Sequence, residues 1–353
     1  MSEDRTPFPS NSFTARLLLT VLVVALALFL WAVRDAVLLG FAAVLLAVAV
    51  HGVADALRKV LPVSKGVSLG LGAITILAFL LAVLTLFGAQ LASAFSGVVD
   101  RLPEAWASAK DTLESNPVGA ALVTEIERFT NGEADGGSVR NMIGSAGGWA
   151  FPFASGVTTA LLVVFAAAFI TTSAGSYFKG FVLLFPKGVD EEIGDALSAS
   201  GRALRKWLLG ITVDMVLIAL MIGVTLWLLG VPAFIGLALI AGISQFVPTV
   251  GPLVSAVPGI LLAFTVGPMT ALWTGLAYLI ISQLEANLIY PVIQKQAASI
   301  PPALTLIAIL AFGMLLGPLG VLLATPILVV VTVFVTKLYV QGTLGKETDV
   351  PGA

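Results

Sequence analysis

The sequence predicts an all-α polytopic membrane protein with seven to eight transmembrane helices, a re-entrant hairpin and a small extracytoplasmic helical segment. Its composition is the first reason: of 353 residues, 58% are hydrophobic and 11% are charged, whereas ordinary globular domains are about a quarter charged. The second reason is the charge distribution, because residues 207–336 carry only Asp214, Glu285 and Lys295. Lipid favours this distribution, since charged groups are costly in hydrocarbon and backbone groups there are satisfied within helices.

The apolar runs predict the individual spans, each close to the ~20 residues that cross a bilayer. The spans lie near residues 15–33, 37–56, 68–91, 150–173, 208–229, 233–247, 268–290 and 304–338. The chain then divides into an N-terminal tail with three spans (1–91), an extracytoplasmic helical segment (92–148), a fourth span (149–173), a cytoplasmic amphipathic helix (174–206), a C-terminal membrane core with interrupted helices (207–340) and a cytoplasmic tail (341–353).

The basic residues predict the orientation in the cell membrane. Arg58, Lys59 and Lys65 lie between the second and third spans, and a second basic group lies within 174–206. Segment 92–148 is instead acidic, so the positive-inside rule places it outside and both termini in the cytoplasm. Its apolar residues recur at helical spacing, which fits either a cap over a pathway or helices resting at the membrane interface.

The motifs of common enzyme classes are absent from the sequence. There is no Cys and one His, His51, so neither a thiolate site nor an H-E-x-x-H zinc site can form. Neither a G-x-S-x-G elbow nor a phosphate-binding G-x-x-x-x-G-K-[ST] loop occurs. We therefore expect no enzyme activity, no cofactor, no metal and no nucleic-acid partner, and we expect any transport to be driven by a gradient or a separate protein.

Two interruptions stand out in the apolar C-terminal half. Residues 245–252 contain two prolines and a glycine, and the following apolar stretch 253–264 is too short to cross comfortably, so a re-entrant hairpin is expected there. A second Gly-Pro-Leu occurs 66 residues later, which fits either a transporter repeat or two independent kinks. The residues expected to act as hinge or gate are Pro248, Gly251, Pro252, Pro291, Gly317, Gly320 and Pro326.

Polar residues inside the apolar half are the candidate functional residues. The expected substrate pathway consists of Gln245, Gln283, Glu285 and Asn287. Asp214 and Glu285 are the candidates for ion coupling, because ionisable residues within membrane segments commonly mark ion or proton routes. The alternatives are a carboxylate at the interface for Glu285 and a snorkelling side chain for Asp214.

At these residues the sequence resembles the autoinducer-2 exporter family of bacterial and archaeal membrane proteins. The resemblance is best over 205–326 and rests on an ordered series of motifs: Trp207-Leu208-Leu209-Gly210, Gly230-Val231-Pro232, Val247-Pro248-Thr249-Val250-Gly251-Pro252, Glu285-Ala286-Asn287 with Pro291, Pro301, Gly317 with Gly320, and Ala324-Thr325-Pro326. The chain departs from the family at Ile211, where Gln is frequent. The resemblance implies a homo-oligomeric permease of seven or eight helices that exports small polar signalling molecules, with sodium–proton antiport credited to some members.

Three functional hypotheses follow. The first is export of a small polar solute, such as an autoinducer-2-like molecule, by alternating access driven by a proton or sodium gradient. The second is a sodium (or other monovalent cation)/proton antiporter in which Asp214 and Glu285 perform the exchange. The third is a membrane scaffold without transport activity, whose outer helices bind a partner.

Overall fold

The computed structural model describes residues 31–82, 150–248, 250–289 and 300–350, with isolated positions among 17–29 and 107–124 and at 291. Most of the predicted first span and of the predicted extracytoplasmic segment lies outside the described residues. Within the described ranges every regular element is helical, so the all-α prediction is confirmed there.

The helices follow one another along the chain and are numbered here in order. They are α1 (Arg34–Val60), α2 (Lys65–Ala82), α3 (Ala150–Thr172), α4 (Ala174–Val182), α5 (Asp190–Leu228), α6 (Phe234–Ser244), α7 (Val250–Phe264), α8 (Pro268–Leu284) and α9 (Pro302–Phe334). A π-helical turn, Glu285–Ile289, continues α8, and another, Val335–Thr343, continues α9.

Three helical stretches in the described residues are long and apolar enough to cross a membrane by length and composition, namely Arg34–Val60, Asp190–Leu228 and Pro302–Thr343, the last of which is interrupted at Gly317. A fourth is obtained if α3 and α4, which are bent by 82° at their junction, count as one span. The chain is thus a helical membrane protein, and the number of seven to eight spans stays a prediction.

Helix α5 joins two segments that the sequence analysis treated separately, the cytoplasmic helix and the fifth span. It has 39 residues, about 58 Å at 1.5 Å per residue, whereas a bilayer core is about 30 Å thick. Asp190, Glu191 and Glu192 occupy its first turn, where acidic residues favour a helix start. Because no proline interrupts the stretch, the helix continues without a break through both segments.

Helices α6 and α7 form a helical hairpin, called the first hairpin below. The turn between them includes residues 245–248, and Gly251 lies against the carbonyl oxygen of Ser244. Leu237 near the start of α6 and Leu262 near the end of α7 belong to the same buried cluster, so the two helices run antiparallel. With 11 and 15 residues, they are about 16 and 22 Å long and shorter than the hydrocarbon core.

Helix α9 is broken at Gly317, whose φ of 69° and ψ of −154° are not helical. Gly320 beyond the break lies against the carbonyl oxygen of Phe312, and a Cβ atom at Gly313 would be 2.9 Å from Cγ2 of Val321. Residues eight apart along a straight helix would be about 12 Å apart. The two arms, 302–316 and 318–334, therefore fold onto each other as a second hairpin.

Helix α5 is the central element, since it contacts both hairpins as well as α1 and α8. Its N-terminal half packs with α1 and the second arm of α9, through a cluster that includes Leu45, Trp207 and Val329. Its other half packs with α6, α7 and α8 through a cluster that includes Ile222 and Tyr278. The polar site described next lies between these two apolar clusters.

Candidate functional site

Three of the polar residues singled out from the sequence are buried and come from three different elements. Asp214 lies in the middle of α5, Gln245 follows the last residue of α6, and Glu285 follows the last residue of α8. Their exposed fractions are 2%, 1% and 7%. These groups therefore point into protein.

The buried face of α5 determines where Asp214 points. Ile211, Asp214, Ile218 and Ile222 are all buried and follow one another at intervals of three or four residues, so they occupy one face of the helix. This face meets α6 and α8. The acidic side chain therefore faces the two elements that carry Gln245 and Glu285.

Two close contacts position Gln245. Gly242, one turn earlier, allows α6 to touch the backbone of α5 at Met215, next to Asp214. Phe246, the following residue, packs edge-on against Trp207 of α5 with ring centroids 5.5 Å apart and an interplanar angle of 76°. Aromatic pairs of this geometry contribute about 0.5–1.5 kcal/mol beyond area burial. The turn of the first hairpin is thus attached to α5 on both sides of Gln245.

Glu285 is the first residue of the π-helical turn that follows α8. Such turns are rare and frequently occur at functional sites. The buried residues of α8 continue in the same stripe, through Thr274, Tyr278 and Ile281 to Glu285. The turn thus keeps Glu285 on the inward face at the end of its helix.

The three groups influence one another electrostatically. Glu285 lies close enough to Asp214 for the two carboxyl groups to repel each other when both are ionised. The Gln245 side chain faces Glu285, yet neither amide atom of Gln245 has a hydrogen bond of normal geometry, and Oδ1 of Asp214 also lacks one. Buried polar groups without partners are destabilising by about 1–3 kcal/mol each. The site therefore offers unused donors and acceptors.

The chemistry of this arrangement is that of a small polar binding site. Two carboxyl groups and one carboxamide can accept a proton, coordinate a monovalent cation with oxygen ligands, or hydrogen-bond a hydroxyl-rich solute. Within the described residues no group of three or more metal-binding side chains surrounds them. Neither carboxyl group pairs with a basic residue described in the structure.

Two further buried polar residues escaped the sequence analysis. Thr274 and Tyr278 lie on the inward face of α8, and their hydroxyl groups have no hydrogen-bond partner. The Tyr278 ring packs on Gly259 of α7, where a Cβ atom would be 2.8 Å from the ring and from the hydroxyl oxygen. The sequence did contain a signal, because residues 274 and 278 share a helical face with Glu285.

The structure does not bring Gln283 and Asn287 into this site. Both are exposed on the chain surface, and Nδ2 of Asn287 donates hydrogen bonds of 2.8 and 3.3 Å to the backbone and side-chain oxygens of Gln283. They share a helical face that turns away from Glu285. Pro291 is likewise exposed, at an isolated described position.

The remaining hinge candidates belong to the two hairpins. Pro248 is buried in the turn of the first hairpin, and Gly251 and Pro252 lie in the first turn of α7, where proline is tolerated. Gly317 forms the break of the second hairpin, while Gly320 allows its two arms to touch. Pro326 is buried inside the helical second arm. Gly251 and Gly320 thus both allow the two arms of their hairpin to approach each other closely. In the Gly-Pro-Leu motifs, however, the residue that matches Gly251 is Gly317 and not Gly320.

Comparison with known proteins identifies the family. A family model described as AI-2E family transporter matches residues 19–339. The protein YrrI of Bacillus subtilis (strain 168), provisionally named a transport protein, is 30% identical over 142 residues, 40% of this chain and 37% of that protein. A provisionally named transport protein of Mycobacterium tuberculosis (strain CDC 1551 / Oshkosh) is 33% identical over 175 residues, 48% of this chain and 47% of that protein.

A third relative, from Thermotoga maritima, also provisionally named a transport protein, is 30% identical over 188 residues, 53% of this chain and 57% of that protein. The matches to these three relatives thus span between 37% and 57% of their lengths. The family model covers most of the chain, and it confirms the resemblance found in the motifs of the C-terminal half. The chain belongs to the AI-2E transporter family.

Proposed function

We propose that this protein is a membrane permease that exports a small polar solute, with Asp214, Gln245 and Glu285 as its binding and coupling site. The observation that carries the proposal is the meeting of two buried carboxyl groups and a buried carboxamide with unused hydrogen-bonding atoms. A static membrane core gains nothing from such groups, because apolar residues of the same size would be more favourable. A solute or ion that binds there would satisfy them.

The two hairpins supply the moving parts of this proposal. Gln245 lies at the turn of the first hairpin, whose arms are too short to span, so we propose that this hairpin enters the membrane and turns back. Irregular backbone at membrane depth is tolerated where it is buried in protein or lines a cavity. Rocking of the hairpins about Pro248, Gly251 and Gly317 would open the site alternately to each side, as in other transporters with interrupted helices.

The family and relatives named as transport proteins support transport in general. An autoinducer-2-like signalling molecule as the solute, and a proton or sodium gradient as the driving force, are our proposals. So are the cell membrane as the location, the cytoplasmic position of both termini and the assembly into homo-oligomers. The exposed amides of Gln283 and Asn287 favour an assembly, because a polar helix face is better covered by a neighbouring copy than by lipid.

A cation/proton antiporter is the second candidate, and a specific observation favours it. Asp214 and Glu285 are neighbouring carboxyl groups that would repel each other if both were ionised, and neither has a basic partner among the described residues. A proton or a sodium ion bound between them would relieve that repulsion. Exchange of one for the other is the chemistry of an antiporter.

Flux measurements on the purified full chain in liposomes test both candidates. Internal pH, internal sodium and uptake of a panel of small polar metabolites would be followed under imposed proton or sodium gradients. Glu285→Gln and Asp214→Asn preserve side-chain volume, while Glu191→Gln neutralises an exposed carboxylate on α5 and serves as the matched control.

Each outcome assigns the protein to one class. Solute movement that falls with Glu285→Gln and persists with Glu191→Gln supports the exporter. Cation-dependent proton movement without any solute, abolished by Asp214→Asn, makes the protein an antiporter. Absence of both fluxes from folded protein overturns transport and favours a scaffold.

A further inference from the structure

A basic cleft lies outside the polar site, where the end of α1 meets the long helix α5. The cleft has a volume of about 690 Å³ and is lined by Asp55, Arg58, Lys59, Arg202, Arg205 and Lys206, with Leu209 at its edge. Five basic side chains and one acidic side chain give it a formal charge of +4. A cleft of this size holds a small-molecule head group.

One ion pair forms the back of the cleft. Nη1 of Arg205 pairs with Oδ2 of Asp55, and Nη2 of Arg205 donates a 3.3 Å hydrogen bond to the backbone oxygen of Gly52. The pair joins α5 to α1 and neutralises the acidic side chain. Arg58, Lys59 and Arg202 are therefore left without an acidic counterpart inside it.

Arg58, Lys59 and Arg202 are exposed, and none of them forms an ion pair or hydrogen bond with another described residue. The nearest acidic residue along α5, Asp195, lies two turns before Arg202. Concentrated positive charge of this kind is unfavourable unless an anion occupies the cleft or salt screens it.

The cleft is located where the polar and apolar parts of both helices meet. Arg58 and Lys59 end the apolar helix α1, and Lys206 directly precedes the nearly charge-free stretch that begins at Trp207. From the edge of the cleft an apolar lane continues along α5 at intervals of three or four residues. It consists of Leu209, Val213, Val216 and Leu220, which are 56–62% exposed.

We propose that this cleft binds the phosphate head group of an anionic phospholipid, with an acyl chain lying along the apolar lane. Arg58, Lys59 and Arg202 would contact the phosphodiester, because guanidinium groups bind phosphate oxygens in pairs and ammonium groups add charge. A free anion would use the same basic groups but would leave the lane unused. Basic pockets beside membrane helices on the cytoplasmic side are typical sites of anionic head groups.

Native mass spectrometry of the purified full chain in mild detergent tests this proposal. The chain is titrated with phosphatidylglycerol and with phosphatidylcholine of identical acyl chains, and the dissociation constant of the first bound lipid is compared. The test variant, Arg58→Gln with Arg202→Gln, removes two unpaired charges from the cleft. The control, Lys179→Gln with Lys187→Gln, removes two exposed charges elsewhere in the chain.

We expect phosphatidylglycerol to bind at least about tenfold more tightly than phosphatidylcholine, and the test variant to lose that preference while the control keeps it. An equal loss of the lipid preference in both double variants would show that the preference arises from diffuse surface charge. That result would overturn the proposed site. Displacement of the lipid by equimolar inorganic phosphate would also overturn the proposal, because the cleft would then be a free-anion site.

A single charge reversal, Lys59→Glu, tests the same cleft without touching either arginine. Its side chain is exposed, so the fold is retained and a loss of lipid preference reports on the cleft itself. An unchanged preference in Lys59→Glu together with an unchanged preference in the double variant would exclude this cleft as the lipid site.

Discussion

Gly242 of α6 lies directly against the backbone carbonyl of Met215 of α5. A Cβ atom at Gly242 would be 2.6 Å from that oxygen and 2.8 Å from the Cβ atom of Ala219. Met215 follows Asp214, and Gly242 precedes Gln245 by three residues. This helix–helix contact therefore sets the separation of two of the three polar groups in the proposed site.

Replacing Gly242 with Ala is expected to destabilise the protein, because the added methyl group meets backbone that cannot move aside. Overpacking of this kind lowers the free energy of unfolding by about 1–3 kcal/mol. The melting temperature in detergent measures the effect. Gly40→Ala in α1 is the matched control, since nothing lies within 4 Å of its added methyl group. Equal melting temperatures for both variants would contradict the close contact.

Gly317→Ala is expected to weaken the second hairpin through its backbone conformation. Nothing lies within 4 Å of the position, but φ is +69° and ψ is −154°, a combination that is nearly exclusive to glycine. The strain amounts to about 1–3 kcal/mol. Thermal melting would show the loss, and Gly70→Ala, in an open position inside α2, should melt no lower than the unchanged protein, because Ala favours a helix more than Gly does. Retained stability in Gly317→Ala would mean that the break does not depend on this conformation.

Tyr278→Phe separates the packing role of the ring from the chemistry of its hydroxyl group. The ring contact with Gly259 is kept, and a buried hydroxyl without a hydrogen-bond partner is removed. We expect unfolding free energy to stay constant or rise by up to about 1 kcal/mol, while flux falls if the hydroxyl binds the solute. Tyr177→Phe, at an exposed position, is the control. A loss of stability above about 1 kcal/mol would reveal a structural partner for the hydroxyl.

The Arg205–Asp55 pair is expected to contribute modestly to stability. Its side chains are 34% and 47% exposed, so solvent screens the attraction. A double-mutant cycle with Arg205→Ala and Asp55→Ala should give a coupling free energy of about 0.5–1 kcal/mol that declines as salt is added. The cycle for Arg34 and Asp35, 3.8 Å apart and more exposed, should give a value near zero. Equal coupling free energies in both cycles would show that the partial burial of the Arg205–Asp55 pair does not strengthen it.

Parts of the site were predictable because the relevant physics is local. An acidic residue in an apolar stretch is costly wherever the helix packs, so Asp214 and Glu285 could be singled out without a structure. Gln245 stood out as an uncharged polar side chain within an apolar stretch, next to a proline-rich turn. Thr274 and Tyr278 were missed because an uncharged hydroxyl group in an apolar helix does not stand out as a carboxyl group does, and only the stripe of buried residues places them on the inward face.

Other features depended on how the helices meet. Gln283, Glu285 and Asn287 look alike in sequence, yet only the contact of α8 with its neighbours decides that Glu285 is buried and that the two amides remain exposed. The two Gly-Pro-Leu motifs likewise look equivalent. Gly251 nevertheless serves a close backbone approach, whereas Gly317 supplies the positive φ angle and Gly320 makes the corresponding approach.

The sequence by itself determined that this is a helical membrane protein with acidic groups inside apolar segments and two interrupted apolar segments. Those properties follow from the cost of charges and unpaired backbone in lipid, which acts on each segment separately. The tertiary structure alone decided that α5, α6 and α8 bring Asp214, Gln245 and Glu285 together, and that Arg205 joins α5 to α1 beside a basic cleft. Such contacts join residues far apart in the chain, and their geometry depends on packing that no local pattern encodes.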